Sequence, residues 1–498
     1  MPRGAGILLP VSSLPSPYGI GALGKAAFAF IDFLKEAGQK YWQILPLCPT
    51  SYGDSPYQSF STYAGNPYFI DLDQLIEEKL LTRKECQACD FGDDPQDIDY
   101  GKLYENRFKL LRKAYERANV GEDQEFEAYR RENAWWLDDY ALFMAVKDRF
   151  DGVAWNEWAE DIRLRWSNAM DYYRRELYYE IEFYSYLQFV FMKQWKKLKN
   201  YANINGIEII GDIPIYVAFD SADAWANPEL FQFDAENLPT AVAGCPPDGF
   251  SADGQLWGNP LYRWDYHRET GFDWWIRRIA YCSELYDVVR IDHFRGFDEY
   301  YSIPYGDTTA RNGHWEKGPG IALFEAAKNR LGELNIIAED LGYITDSVKK
   351  LVADSGFPGM KVLEFAFDSR EKSDYLPYTY EKNSVVYTGT HDNETIAGWY
   401  AGLDKSDLKM CTDYMNIDRI PGKEYHWDFI RLAMLSVSDL CVIPIQDYLG
   451  LDNRARINHP STLGTNWRWR LAKGQLSASL LKEIREMTRI SGRLQNGE

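Results

Sequence analysis

"VVRIDHFRGF" occupies residues 288–297 and runs two valines straight into a cluster of ionisable and aromatic groups. Val288, Val289 and Ile291 suit a buried strand, yet Arg290, Asp292, His293 and Arg295 interrupt or follow them. Residues i and i+2 of a strand project from one face. Arg290 and Asp292 therefore point together, and a guanidinium within reach lowers the pKa of an aspartate and keeps it ionised. A strand buried on both faces is a continuous apolar run, as in parallel sheets. Such sheets carry their chemistry at the C-terminal ends of the strands.

Seven other runs have the same form: "GILLPV" (6–11), "YWQILPL" (41–47), "IEIIGDIPIYV" (207–217), "IIAED" (336–340), "KVLEF" (361–365), "SVVYTG" (384–389) and "CVIPIQD" (441–447). Helical periodicity fills most of the gaps. Residues 23–37 repeat apolar positions every three to four and stop at Gly38, and 344–356 and 426–440 behave alike. Eight strand–helix alternations predict an α/β fold, a (β/α)8 TIM barrel forming a single catalytic domain over residues 1–498. Two connections exceed what a barrel needs. Residues 75–200 read as a helical insertion, and 218–270, rich in Pro, Gly and Asp, as an irregular lobe over the mouth.

The 498 residues are 45% hydrophobic and 26% charged, the composition of a folded chain. A formal charge of −20 disfavours nucleic acid and anionic membranes as partners and suits a neutral substrate. The 17 Trp and 35 Tyr fill cores, but such rings also stack on sugars. Seven scattered Cys fit a reducing compartment. The N-terminus lacks a signal-like apolar segment and no run is long enough to span a bilayer, so a cytoplasmic location is expected.

Three motifs mislead. Cys86 and Cys89 form one CxxC without a second pair, on what reads as a solvated helix. Gly19, Gly21 and Gly24 match GxGxxG, but no strand precedes them directly. Lys25 is followed by Ala26 where a P-loop needs Ser or Thr, so nucleotide binding is not expected. No HExxH or EF-hand loop occurs, and neither a metal nor another cofactor is expected.

The strand ends carry acids. Besides Asp292 they include Asp212, Glu339 beside Asp340, Asp392 beside His391, and Asp447. Acids converging on one barrel mouth suit chemistry at an acetal carbon, where a retaining glycosidase sets two carboxyls about 5–5.5 Å apart. Asp292, with its arginine, suits the ionised nucleophile. Glu339 suits the acid, raised by the negative charges of Asp292 and Asp392. Asp392 could grip sugar hydroxyls as the ring flattens.

With those residues in place, "RIDHFRG", "AEDLG" and "GTHDNET" resemble the catalytic motifs of α-glucan-processing barrel enzymes. The chain is closest in pattern to the 4-α-glucanotransferases, amylomaltase or disproportionating enzyme, of glycoside hydrolase family 77. "LLPVSSLPSPYGIG", "YWQILPLCPTSYGDSPYQSFSTYAGNP", "GDIPIYVAFDSADAW", "PPDGFSADGQLWGNPLY" and "NWRWRL" carry the likeness from residue 6 to about 471. The resemblance implies that Asp292 is the nucleophile, Glu339 the general acid/base and Asp392 the transition-state stabiliser. It implies that Arg290, Asp212 and His391 orient the nucleophile or hold the reacting sugar; His293, directly after the nucleophile, is expected to face away from it. Trp257 would belong to a lid that also contains Cys245 and Gly249. Tyr52, Ser55 and Tyr57 would line the glucan groove, and Phe365 with Asp368 would lie near the acceptor subsites. The implied partners are α-1,4-glucans, with glucose among the acceptors; oligomeric state stays open. An α-amylase-like hydrolase and a non-catalytic glucan-binding protein are the alternatives.

Overall fold

A computed structural model describes residues 2–247, 251–342, 344–417 and 425–494, without the side chain of Tyr52. The expectations for Tyr52 in the groove and Gly249 in the lid thus fall outside the described residues. All eight apolar runs become strands of one closed parallel barrel. They are β1 (Gly4–Leu8), β2 (Tyr41–Gln43), β3 (Glu208–Pro214), β4 (Val288–Asp292), β5 (Ile336–Ala338), β6 (Gly359–Val362), β7 (Ser384–Tyr387) and β8 (Leu440–Pro444). Each pairs with the next in the chain, and β8 closes on β1 from Gly4↔Leu440 to Leu8↔Pro444.

Strand alternation sorts the apolar side chains into two layers. Leu8, Tyr41, Ile210, Val288, Met360 and Tyr387 form a cluster separate from the outer core. Ile7, Trp42, Ile209, Val289 and Ile291 join the layer shared with the helices. Val288 and its neighbours Val289 and Ile291 thus face opposite ways, and Arg290 and Asp292 follow Val288 toward the barrel mouth.

The surrounding helices follow the apolar periodicity. α1 (Lys25–Glu36) buries Ala27, Phe30, Ile31 and Leu34 at helical spacing. Its N-cap is Gly24, where an added Cβ would collide with the Asp71 carboxylate. That close approach explains a glycine that imitates a nucleotide motif, and Lys25 pairs with Glu77 at 3.4 Å. The insertion between β2 and β3 is helical as expected, with α2 (Tyr100–Arg117), α3 (Gln124–Arg149) and α4 (Tyr178–Ile204) as its main members. From α4, Gln188 and Gln194 accept the N–H groups of Gly65 and Asp71, each at 2.7 Å. The insertion therefore braces the loop after β2 that carries Ser55 and Tyr57. Between β3 and β4 runs α5 (Asp273–Leu285), after β4 α6 (Ile321–Leu331), and after β5 α7 (Asp346–Ser355). α8 (His426–Leu435) precedes β8, and α9 (Ala478–Ile490) packs on α1 and α8 to close the outer ring.

The structure departs from the sequence reading in three places. The sixth alternation fails: between β6 and β7 there are only 3-10 turns at Leu363–Phe365 and Pro377–Thr379. Asp368, Ser369, Ser373, Asp374 and Pro377 favour turns there over a helix. The lobe is not irregular. Its strands Ala241–Cys245 and Gln255–Pro260 join Glu299–Pro304 and His314–Lys317 in a four-stranded antiparallel sheet. Half of that sheet comes from the far side of β4, so local pattern could not reveal it. Cys86 lies in a short helix, Arg83–Gln87, but is buried rather than solvated. No helix among the described residues is long and apolar enough to cross a membrane.

Candidate active site

The parallel register of β3 and β4 sets Asp212 beside Arg290 and Pro214 beside Asp292. Arg290 Nη1 donates to both Asp212 oxygens, at 2.8 and 2.7 Å, while Nη2 stands 3.1 Å from Asp292 Oδ1. Its Nε points at Met360 Sδ, 3.4 Å away on β6. The Tyr57 hydroxyl donates to Asp212 Oδ2 at 2.7 Å. Asp212 is wholly buried, whereas the Asp292 side chain is 28% exposed. One guanidinium thus serves two carboxylates, and only Asp292 opens toward solvent.

Burial raises the Asp292 carboxyl well above the ordinary aspartate value, Arg290 opposes the rise, and Glu339 and Asp212 add to it. The sequence reading expected Arg290 to win. It does not, because burial is the larger effect and Arg290 is shared with Asp212. Burial also works against the Arg290 charge, but Asp212 and Asp292 outweigh it and hold the guanidinium protonated.

Glu339 follows β5 directly. Its Oε2 accepts the His293 N–H at 2.6 Å and its Oε1 the Leu341 N–H at 2.9 Å. His293 adopts the left-handed conformation, φ 55°, which turns that N–H onto the carboxylate. Burial is the leading reason the Glu339 pKa is raised, with Arg290 and the two backbone donors opposing. The expected cause, the charges of Asp292 and Asp392, is not the one that governs. Asp340, on the opposite side of the chain, accepts the Met360 N–H at 2.7 Å and anchors β6.

Beyond β7, His391 stacks on Tyr57 with ring centres 5.2 Å apart and planes 12° apart. Burial lowers the His391 pKa, which keeps the imidazole neutral, with Nε2 3.4 Å from Asp392 Oδ2. Asn458 Nδ2 donates to Asp392 Oδ1 at 2.6 Å.

These groups meet in a cavity of about 480 Å³. Ser55, Tyr57, Trp257, Asp292, His391 and Asp392 all line it. His293 lines it too. Its ring stands edge-on to Trp257, centres 4.8 Å apart at 88°, and burial pushes its pKa down to about 3. Asp212 and Arg290 lie beneath the floor. Glu339 does not line the cavity in this structure, being held by the backbone donors described above.

Asp368, Phe365 and Asp447, all named from the sequence, do not line this cavity either. Asp368 does not line the cavity and is paired with Arg370 at 2.8 and 2.7 Å. Phe365, 41% exposed, also lies outside the lining, edge-on to Tyr375. Asp447 is buried behind the β7 turn rather than at the mouth. Trp467 and Asn458 are among the lining residues not assigned from sequence. Trp467 packs near Tyr57 and His391, and only its place within "NWRWRL" hinted at it. Asn458 sits 66 residues from the aspartate it contacts, and nothing local marks it. Among the described residues no group of three or more His, Cys, Asp or Glu could hold a metal ion.

A parallel barrel with carboxyls at the ends of β4 and β5, and a third acid after β7, defines the class of barrel enzymes that work on glycosidic bonds. The comparisons narrow this. Residues 9–476 match the glycoside hydrolase 77 family model, described as 4-α-glucanotransferase, and the chain belongs to that family. A 4-α-glucanotransferase from Clostridium butyricum is 49% identical over 97% of this chain and 99% of its own. One from Thermus thermophilus is 46% identical over 99% of this chain and all of its own. The solved amylomaltase of Streptococcus agalactiae, in complex with acarbose, superposes with a TM-score of 0.96 at 43% identity. That likeness covers 99% of this chain and 100% of the other. The chain is an enzyme, a 4-α-glucanotransferase.

Proposed function

We propose that the enzyme cleaves an α-1,4-glucan and passes the cut segment to the 4-hydroxyl of another glucan or of glucose by retaining double displacement. The observation that carries this reading is the joint arrangement of Asp292 and Asp392 on one cavity, with Arg290 tying Asp292 to the buried Asp212. Asp292 attacks the anomeric carbon and forms the glucosyl-enzyme. Arg290, 3.1 Å from Asp292, favours the ionised carboxylate that attacks and holds it in place. Glu339 protonates the departing glycosidic oxygen. To reach that oxygen its carboxyl turns away from the His293 and Leu341 N–H groups. Losing donors that favour the charged form raises its pKa further, in the sense an acid requires. It then takes a proton from the acceptor hydroxyl in the second half-reaction. Asp392, held by Asn458, accepts sugar hydroxyls whose hydrogen bonds strengthen as charge develops on the ring.

Transfer rather than hydrolysis requires that an acceptor sugar outcompete water. A positioned hydroxyl has a large effective molarity, and a covered site limits water attack. Trp257, carried on the lobe sheet over His293, suits both tasks, and Phe365 offers an exposed ring for stacking beyond the cavity. That the Streptococcus agalactiae amylomaltase forms a complex with acarbose supports a ligand of this kind for the present chain.

Incubation with maltotriose alone tests the reading. Glucose and maltooligosaccharides longer than the donor should appear, and the Asp292→Asn protein should form them several orders of magnitude more slowly. Steadily rising reducing ends without longer products would mark a hydrolase instead. Unaltered turnover by Asp292→Asn would leave only a binding role for this cavity.

A further inference from the structure

Asp447 ends the eighth apolar run, yet it is only 1% exposed and does not meet the cavity. The short helix Ile445–Tyr448 after β8 turns it back beneath the end of β7. There its Oδ2 accepts the Thr388 hydroxyl, and its Oδ1 accepts the Ile396 N–H at 2.8 Å. Thr388 and Ile396 are the two ends of the turn that carries His391 and Asp392. One buried carboxylate therefore closes the base of that turn. A buried carboxylate is tolerated when its oxygens are satisfied, and both are satisfied by this turn.

The rest of the segment after β8 follows the same outline. Asn453 Oδ1 accepts the Thr395 N–H at 3.1 Å, and Arg456 Nη2 donates to the Asp392 carbonyl at 2.7 Å. On the other side the Glu364 N–H donates to the Thr388 carbonyl at 3.2 Å. The turn has no helix or strand of its own, so these bonds, with those from Asn458 to Asp392 and His391, decide where Asp392 stands.

We propose that Asp447 is a positioning residue for glucan transfer, clasping both ends of the 388–396 turn so that Asp392 and His391 meet the reacting sugar. The proposal rests on the reading of Asp392 as the transition-state stabiliser. Asp447 touches no substrate and acts through the turn alone.

The test compares single and double variants, with rates on maltotriose normalised to folded protein by circular dichroism. Asp447→Ala should lower kcat about 10- to 100-fold and move KM less than about threefold, as expected when a reacting group is displaced. Asp447→Asn should recover kcat to within about fivefold, since its amide can accept from Ile396 and donate to Thr388. In an Asp392→Asn background, Asp447→Ala should cost less than about threefold, because groups acting as one unit are not additive. A merely structural role would instead multiply through that background unchanged. Such multiplication, or a wild-type kcat in Asp447→Ala, overturns the proposal. A wild-type kcat in Asp392→Asn alone overturns the underlying role of Asp392, and the proposal with it. If Asp447→Ala fails to fold, Thr388→Val, which removes one arm of the clasp, replaces it in the same cycle.

Discussion

Arg290 is the residue on which the site turns. It lies between a fully buried acid and a half-open one, and its spacing from Asp292 is written in the sequence as i and i+2. Removing it by Arg290→Met leaves Asp212 buried with no cation beside it, a loss of about 3–5 kcal/mol for a broken buried pair. Urea unfolding of the Arg290→Met protein should show that drop, and Asp212→Asn in the same chain should restore part of it. An unchanged midpoint would mean the pair contributes nothing. The Asp212 partner itself was legible as a strand-end acid. Its hydrogen bond from Tyr57 was not, because 155 residues separate the two. The recessed position of Glu339 was equally hidden. It depends on a left-handed His293, and nothing in "RIDHF" obliges a histidine to adopt φ 55°.

At the scale of elements, the strands were legible because each is a short apolar run with polar residues at one end. Helices such as α1 were legible through their spacing and the glycine that stops them. The lobe sheet was not, since "AVAGC" and "QLWGNP" are brief, interrupted by glycine and proline, and paired across distant chain. That sheet carries Trp257 over the cavity, so its function is argued at this scale. Trp257→Ala should leave the barrel folded and raise the share of hydrolysis in total turnover several-fold. The measurement is new reducing ends per glucose released from maltotriose, and an unchanged ratio would remove the lobe from any role in excluding water.

Across the whole molecule one apolar core runs from β1 through the helical insertion to α9, including Leu103, Leu137, Tyr140 and Trp195 from the insertion. The lobe is tied into the same core through Tyr262, Trp264 and Trp275. Beside them His267 is buried, and burial pushes its pKa down to about 4. Its neutral form is favoured by folding, so its contribution to stability is complete above about pH 6.5 and is lost as pH falls toward 4. Near pH 5.5 that loss amounts to about 1 kcal/mol. Urea midpoints of the wild-type and His267→Gln proteins at pH 7.5 and 5.5 check this. The variant should lose less stability on acidification, and an equal loss would show that His267 is not the titrating group.

Periodicity and local chemistry were enough to determine the barrel and to place Asp292, Glu339 and Asp392 at the ends of their strands. Strand alternation is a property of neighbouring residues, and a single chain displays it directly. Tertiary structure alone decided which acids face the cavity, which is recessed, and which, like Asp447, turns away to hold a loop. Those outcomes depend on burial and on partners tens to hundreds of residues distant, and both are created only when the barrel closes.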